Sequence, residues 1–496
     1  MPTKSGGANA KFYFGNQKSS INDVSHKHTS EAEDTFTIDE AISALEFGKF
    51  QIRLSAVCGL AWMAEAMEMM LLSILGPVLH CEWWLSSWQI ALLTTVVFCG
   101  MMLSSMMWGS FADKYGRKTE LCMATAFTLY FGLLSALSPN FVWLLILRGL
   151  VGIGIGGSAQ SITIYAEFLP VHQRAKCMIF LAICWAIGTC FAVLLALCFM
   201  SSWGWRWILV LAAIPLLIFL LCCYWMPESA RYHLACDETD LALATLARVA
   251  EVNGKPMLLG KLVQAESTKA ANRGRGRIRD LLIKDWWKTT ALLWFIWMAS
   301  TFCYYGIALY TAELYQSGDE CHGGKMGSAE RLIVACPLDC HKLNTADYVD
   351  LFWTTLAEVP GLVITMLMMD WIGRRKTIAL DFVIFSIFIS LLFFCLHRFW
   401  LTVFISLARM FINGAFQAVF VYTPEVYPTT MRAIGLGCCG SLARLGAIFT
   451  PFVAQVGGSW SLHIPIGVYA VTSFIAAVAA SILPIETKGR VMTETH

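Results

Sequence analysis

What most constrains this chain is the recurrence of continuously apolar stretches, each about the twenty residues that an α-helix needs to cross a bilayer. They fall at 52–79, 90–111, 121–138, 141–165, 178–200, 205–226, 289–311, 349–369, 377–396, 399–422, 434–457 and 464–484 of the 496 residues. Because they are unbroken and not alternating, a β-barrel is excluded, and in lipid such a backbone closes its hydrogen bonds within a helix. The predicted fold class is therefore an all-α membrane protein with twelve transmembrane helices. Composition agrees: 57% of residues are hydrophobic and 14% charged, where a soluble protein carries about a quarter. A soluble enzyme is excluded. A net charge of +2, with basic residues in short clusters, argues against nucleic acid as a partner. The eighteen cysteines lie mostly inside apolar runs, as small hydrophobes.

Lysine and arginine set the expected orientation. The short loops after spans 2, 4, 8 and 10 carry Lys114, Arg117, Lys118, Arg174, Lys176, Arg374, Arg375, Lys376 and Arg432, whereas the short opposite loops carry only Arg206 and Arg398. Both termini are expected in the cytosol. The chain then divides into a cytosolic segment 1–51, a six-helix bundle 52–226, a central loop 227–288, a second six-helix bundle 289–484 and a tail 485–496. The first segment lacks an apolar core, so no cleaved signal peptide is expected. Within it Thr37-Ile38-Asp39-Glu40 reads as a capping box. It opens a short helix with Ile42, Leu45 and Phe50 on one face, expected to lie on the membrane surface. The central loop predicts a helix over 239–252 ended by Asn253-Gly254, then Arg273, Arg275, Arg277 and Arg279, which suit positive-inside anchoring or anionic lipid. An outer loop over 312–348 holds Cys321, Cys336 and Cys340, and Cys81 stands in the first outer loop. Pairing among these four is open to three connectivities.

Three loop signatures occur twice in the same order. GSFADKYGRK after span 2 matches MMDWIGRRK after span 8, with Asp113 and Asp370 separated by 257. EFLPVHQRA after span 4 matches EVYPTTMRA after span 10, with Glu167 and Glu425 separated by 258. PESAR after span 6 matches PIETKGR after span 12, with Pro227 and Pro484 separated by 257. Offsets that agree within one residue mean a duplicated six-span unit. Duplicated halves that rock about a midplane site are a transporter architecture.

These residues resemble the major facilitator superfamily, in its sugar-porter and organic-ion branch. The resemblance rests on the paired Asp-x-x-Gly-Arg-Lys/Arg loops, the sets Arg148…Glu167…Arg174 and Arg409…Glu425…Arg432, PESAR and PIETKG, and covers about residues 45 to 490. GLAWMAEAMEMMLLSILGPVL in span 1 and TPEVYPTTMRAIGLGCCGSLARLGAIFTPFVAQVG in spans 10 and 11 resemble, more narrowly, the synaptic vesicle 2-related group. The outer loop is too short for the extracellular domain of the synaptic vesicle glycoproteins. The resemblance implies a gating latch at the cytosolic ends, formed by Asp113, Arg117, Arg148, Glu167 and Arg174 in one half and Asp370, Arg374, Arg409, Glu425 and Arg432 in the other. Static helix-end pairing is the alternative. The resemblance also implies a cavity lined from spans 1, 4, 7 and 10, for which Trp62, Gln160, Tyr304, Tyr305 and Gln417 are candidates.

Charge deep in a span is costly and is a functional candidate by default. Glu65 and Glu68 of span 1 lie three apart on one helical face, and two such carboxylates repel when both are ionised, which suits a proton-coupling site. Glu358 precedes Pro360-Gly361 in span 8, and Arg444 lies well inside span 11. Arginine cannot shed its charge and offers a planar fork to a carboxylate. Two readings of Arg444 stand: it captures an anionic substrate, or it neutralises Glu65 or Glu68. Glu358 is placed with Arg444 as a substrate-binding candidate. Asp381 is expected at the cytosolic interface.

Gly152-x-Gly154-x-x-Gly157 and Gly435-x-Gly437-x-x-Gly440 match a dinucleotide-binding string. Neither has its strand context, and close helix packing is the expected reason for both. No metal spacing, cofactor motif or nucleophile triad is found, so a non-enzyme is expected, without cofactor or metal. The expected function is secondary active transport of a small organic ion, an anion by preference, coupled to protons. The competing expectation is a vesicle membrane binding or trafficking protein without turnover. A monomer in the lipid bilayer is expected, in the plasma membrane or a secretory or synaptic-type vesicle.

Overall fold

The computed structural model describes residues 35–158, 160–170, 173–263, 278–283, 286–316, 343–394 and 397–488. Among the described residues each of the twelve apolar stretches is mainly helical. Spans 1 to 3 are Lys49–Trp83, Ser87–Tyr115 and Arg117–Ala136. Span 4 runs as Phe141–Ile155 and then Gln160–Glu167. Span 5 is Arg174–Trp203, and span 6 runs as Trp205–Ala212 and Ile214–Cys223. Span 7 is Trp287–Gln316, and span 8 is Thr345–Leu356 followed by Glu358–Ile372. Spans 9 and 10 are Arg374–Leu391 and Arg398–Val426. Span 11 is Thr429–Pro451 with a π-turn, Phe452–Gly457, and span 12 is His463–Ile482.

Local chemistry explains the starts and the breaks. Span 2 begins at a capping box, in which Gln89 Oε1 accepts from Ser86 N at 2.8 Å, and Asn140 Oδ1 caps span 4 through Trp143 N at 3.1 Å. Spans 6 and 8 break ahead of Pro215 and Pro360, whose rings lack a donor and clash with the carbonyl four residues back. Span 4 breaks over Gly156-Gly157-Ser158.

The duplicated loops fold alike. Gly116 and Gly373 both sit at φ +99 between successive helices, a backbone that favours glycine. Each faces the carboxylate of the third repeated motif. Glu228 Oε1 accepts from the backbone N–H groups of Arg117 and Lys118 at 2.9 and 3.1 Å, and Glu486 Oε1 accepts from Arg374 N at 2.9 Å. A carboxylate from the end of each half thus caps its third helix, where the helix dipole favours negative charge.

The N-terminal helix, Ile38–Leu45, has the capping box read from sequence, with Glu40 Oε2 accepting from Thr37 N at 2.7 Å. Its surroundings differ from expectation. Ile38, Ala41 and Ile42 bury against Ala230, Leu234, Ala242 and Leu246 of the central loop, Thr35–Phe36 pairs in parallel with Lys261–Leu262, and Asn253 Nδ2 donates to Leu45 O at 3.3 Å. The apolar face lies on protein and not on lipid, because the loop helices Ala230–Ala235 and Thr239–Asn253 offer a matching apolar surface. Gly254 ends the latter helix in the left-handed region, as its sequence predicts. Cys81 is disulfide-bonded. Cys321, Cys336, Cys340, Arg273, Arg275 and Arg277 lie outside the described residues.

The two bundles meet chiefly through spans 1 and 7, 2 and 11, and 5 and 8. Among the described residues the hydrogen bonds between bundles lie at mid-membrane or toward the end away from Thr35 and Lys488. They join Ser73 Oγ to Ala308 O (2.7 Å), Thr95 Oγ1 to Ile448 O (3.3 Å), Trp185 Nε1 to Tyr304 OH (2.9 Å) and Gln316 Nε2 to Cys81 Sγ (3.8 Å). At the opposite end, that of Thr35 and Lys488 and called the inner end for the expected orientation, Gly109 of span 2 and Gly437 and Gly440 of span 11 have nothing within 4 Å of an added Cβ. Gly109 lies fourteen residues beyond Thr95 and Gly437 eleven before Ile448, close to whole helical turns, so both continue the faces that touch further out. The first glycine string packs closely, with Gly152 against Val97 of span 2 and Gly154 against Thr128 of span 3, whereas in the second only Gly435 does, against Tyr427. The second faces open space at Gly437 and Gly440 because the bundles part there.

Gly116→Ala or Gly373→Ala places a side chain at positive φ and against the capping carboxylate, at a cost of roughly 1–2 kcal/mol for the backbone alone. Thermal unfolding of the detergent-solubilised protein should show both variants melting earlier than the wild type; an unchanged midpoint for both would contradict the capping role of Glu228 and Glu486.

Candidate functional site

Two buried arginine–carboxylate pairs hold the interior. In the first half Arg148 of span 4 donates through Nη1 to Glu68 Oε2 of span 1 at 2.8 Å, both side chains 2% exposed or less. In the second, Arg409 of span 10 donates through Nε and Nη2 to Glu358 Oε1 of span 8 at 3.0 and 2.6 Å. Glu358 is fully enclosed: its Oε2 also accepts from Tyr304 OH at 3.2 Å and Asn413 Nδ2 at 3.3 Å. Sequence reading set Arg148 and Arg409 with the inner-end gating groups, and the structure moves them to mid-membrane. Arg409 stands sixteen residues before Glu425 on one continuous helix, about 24 Å along its axis. It likewise moves Glu358 from an open substrate contact to a closed ion pair.

Glu65 lies one turn before Glu68 and is half-buried. Both line a cavity of about 20 Å³ with Thr125, Thr128, Gly154 and Ser158, so their expected juxtaposition is found. Glu65 faces Ser158 across this cavity and feels the charge of Arg444. Arg444 is half-buried, next to Glu65 and Tyr305, and among the described residues it has neither a hydrogen bond nor a closed ion pair. It is a guanidinium fork held near a carboxylate without being locked to it.

Aromatic rings line this region from both bundles. Trp62 Nε1 donates to Ser161 Oγ at 2.9 Å, and its ring tilts against Trp185 at 5.6 Å. Trp185 donates to Tyr304, which donates on to Glu358, so a hydrogen-bonded line runs from span 5 to the second ion pair. Tyr305 packs against Phe98 at 4.9 Å, and Tyr304 stacks on Phe416 at 6.1 Å. Gln417 lies apart, in a second cavity of about 20 Å³ with Met178, Ala182, Leu362, Thr365 and Phe420. Gln160 opens the second segment of span 4, and its side chain lies outside the described residues.

At the inner end the repeated sets pair within their own halves. Arg117 meets Glu167 and Asp113, each at 3.4 Å, and Arg374 meets Glu425 at 3.2 Å and Asp370 at 3.9 Å. Arg174 meets Asp39 of the N-terminal helix at 3.2 Å, and Arg231 meets the same carboxylate. Arg432, the repeat mate of Arg174, has an Nε without a hydrogen bond. No ion pair among the described residues crosses between halves here. Sequence reading missed Glu120, fully buried in span 3, because it lies one residue before the apolar run. It also underweighted Asp381, which is fully buried in span 9.

The chain matches the family model described as sugar (and other) transporter over residues 6–316. The synaptic vesicle 2-related protein of Xenopus laevis is 52% identical over 95% of this chain and 85% of that one. The organic cation/carnitine transporter 7 of Arabidopsis thaliana is 36% identical over 93% of this chain and 96% of that one. Among solved structures, the proton:xylose symporter XylE bound to 6-bromo-6-deoxy-D-glucose aligns with a TM-score of 0.66 at 18% identity, over 89% of this chain and 98% of that one.

Removing one member of a buried pair leaves the other charge unmatched, at about 3–5 kcal/mol. Arg409→Met should therefore destabilise strongly, and adding Glu358→Gln should recover part of the loss. A thermal-stability double-mutant cycle measures this, and simple additivity of the two changes would contradict the pairing.

Proposed function

The chain belongs to the sugar (and other) transporter family, within the major facilitator superfamily of multi-pass membrane carriers, and on that premise we propose that it carries small organic ions bearing a carboxylate, driven by protons through alternating access. The observation that supports this best is Arg444: a guanidinium in the membrane interior, half-buried and without a locked partner. Charge in that setting is retained for a ligand or a relay. A substrate carboxylate accepts its fork in bidentate fashion, with Trp62, Tyr305 and Phe98 as apolar walls. Tyr304 and Glu358 form the second wall's fixed support.

Proton coupling is assigned to Glu65 and Glu68. Two carboxylates around one small cavity repel when both are ionised, so a proton entering the pair removes repulsion and frees Arg148 from part of its hold on Glu68. Because that ion pair ties span 1 to span 4, its protonation state biases how the first bundle packs. The inner-end sets around Asp113, Arg117, Glu167 and Arg174, and Asp370, Arg374, Glu425 and Arg432, act as latches that re-pair across the halves when the inner end closes.

A second reading concerns the other end of the substrate. Glu65 and the aromatic rings of Trp62, Trp185 and Tyr305 also suit a cationic group, by charge and by cation–π contact. A zwitterion would use Arg444 and Glu65 together, and a relative at 36% identity is named for organic cations and carnitine.

Reconstituted proteoliposomes with an imposed pH gradient test both readings against a panel of organic acids, zwitterions and cations. Uptake of a carboxylate should rise as the outer pH falls, and Glu65→Gln should flatten that dependence. Arg444→Lys, which keeps the charge but loses the planar fork, should weaken apparent affinity by about tenfold, and Arg444→Ala should abolish uptake. Normal carboxylate uptake by Arg444→Ala would sink the assignment, and inactivity toward the whole panel would favour a binding or trafficking role without turnover.

A further inference from the structure

Two buried carboxylates take no part in the site described so far. Glu120 of span 3 is fully buried, and neither of its side-chain oxygens has a hydrogen-bond partner. Asp381 of span 9 is equally buried; its Oδ2 accepts from Thr365 Oγ1 at 3.4 Å, and its Oδ1 has no partner. The two acids occupy equivalent niches. Glu120 Oε1 and Ala124 lie 2.5 Å from where a Cβ on Gly157 would stand, with Trp108 alongside. Asp381 Oδ2 lies 3.2 Å from where a Cβ on Gly414 would stand, with Thr365 alongside. Gly157 and Gly414, Ala124 and Asp381, and Trp108 and Thr365 are each 257 residues apart, the spacing of the repeat. In the first half a longer acid reaches the niche from one turn away; in the second a shorter acid fills it directly.

The niches differ in what joins them to the midplane. In the first half the residue after Gly157 is Ser158, which lines the same small cavity as Glu65. Two carboxylates therefore flank consecutive residues at the break in span 4. The adjoining cavity of about 20 Å³, lined by Glu65, Ser158, Thr125 and Thr128, has room for one water. In the second half the residue before Gly414 is Asn413, which donates to Glu358 at 3.3 Å. A hydroxyl can accept one proton while passing on another, and an amide donor cannot do so readily.

We propose that Glu120 is a second proton station, carrying protons from Glu65 to the inner face within the first bundle, apart from the path of the substrate. The inference rests on proton coupling through Glu65. Neutral Glu65 gives its proton to the Ser158 hydroxyl oxygen, and the hydroxyl proton of Ser158, which now points to Ile155 O at 2.6 Å, turns and passes to a Glu120 oxygen, directly or through one water. Glu65 is left as a carboxylate and Glu120 as a neutral acid. Glu120 then releases the proton to water at the inner mouth. The charged and titratable groups around it are Arg117 and Cys122 on its own helix; Trp108 and Gly157 face it from spans 2 and 4. Gly157 is required at the contact, since any side chain there would displace the acid. Asp381 has the same niche without the hydroxyl link and serves as an internal control.

Infrared spectroscopy of the full chain in lipid nanodiscs tests this with the proton itself as probe. The carbonyl band of neutral Glu65 is identified as the band that Glu65→Gln removes, and its hydrogen–deuterium exchange is followed after transfer to heavy water. Glu120→Gln should slow that exchange by about tenfold or more. Gly157→Ala, which keeps the acid but pushes it aside, should slow it likewise and carries the test if Glu120→Gln fails to assemble. Asp381→Asn should leave the rate unchanged. Wild-type exchange in Glu120→Gln or in Gly157→Ala, or equal slowing by Asp381→Asn, overturns the relay alone. A wild-type spectrum from which Glu65→Gln removes no band overturns the coupling reading and the relay with it.

Discussion

A charge inside a bilayer must find a partner or a cavity, and most of the interior of this protein follows from how that demand is met. The pairs Glu68–Arg148 and Glu358–Arg409 each tie two helices of one bundle at mid-membrane. Neither pair is a strong source of stability, because desolvation offsets most of the attraction. Their effect is on specificity: a register or rotation that separated them would strand two charges in lipid, so each bundle has one acceptable packing. Around these fixed points the partly exposed charges, Glu65 and Arg444, are held where a ligand or a proton can reach them.

Duplication supplied the scaffold, and the two halves then diverged at the chemistry. Backbone features kept their places: the glycines at positive φ, the capping carboxylates, the Arg–Glu contacts at the inner end. The midplane pairs did not. Both use an arginine of the fourth helix of a half, yet the carboxylate comes from the first helix in one half and the second helix in the other. Counted from the helix caps Asn140 and His397, which are 257 apart, Arg148 stands eight residues in and Arg409 twelve, so the two arginines sit about one turn apart in the repeat and the helices diverge beyond them. Span 4 is broken there, at the point where Glu65 and Glu120 approach, while span 10 runs straight. The break coincides with the chemistry particular to the first half.

The fold was legible because its signals are local or periodic. Apolar length gave the twelve helices, and three repeated loop signatures gave two bundles. Thr37 and Gly254 marked helix ends by cap chemistry that depends on only a few neighbouring residues. What escaped was depth and partnership. Arg148 and Arg409 read as members of inner-end sets because their motifs adjoin those of Glu167 and Glu425 in sequence, and only helix length shows them far away in space. Glu358 read as open to substrate because nothing in its neighbours announces Arg409, fifty-one residues on. The N-terminal helix read as a membrane-surface element because an apolar face does not state what covers it; the cover came from residues two hundred positions later.

The glycines of the inner end carry a consequence for how variation in this protein should be interpreted. An added Cβ at Gly437 or Gly440 meets nothing in this conformation, so alanine there would fold, insert and melt normally. If the opposing faces of spans 2 and 11 close during the cycle, the need for small residues exists only in a conformer that this one must visit. Tolerance measured by abundance and tolerance measured by turnover would then diverge most sharply at these positions, and a survey of expression alone would pass as harmless the changes that stop the cycle.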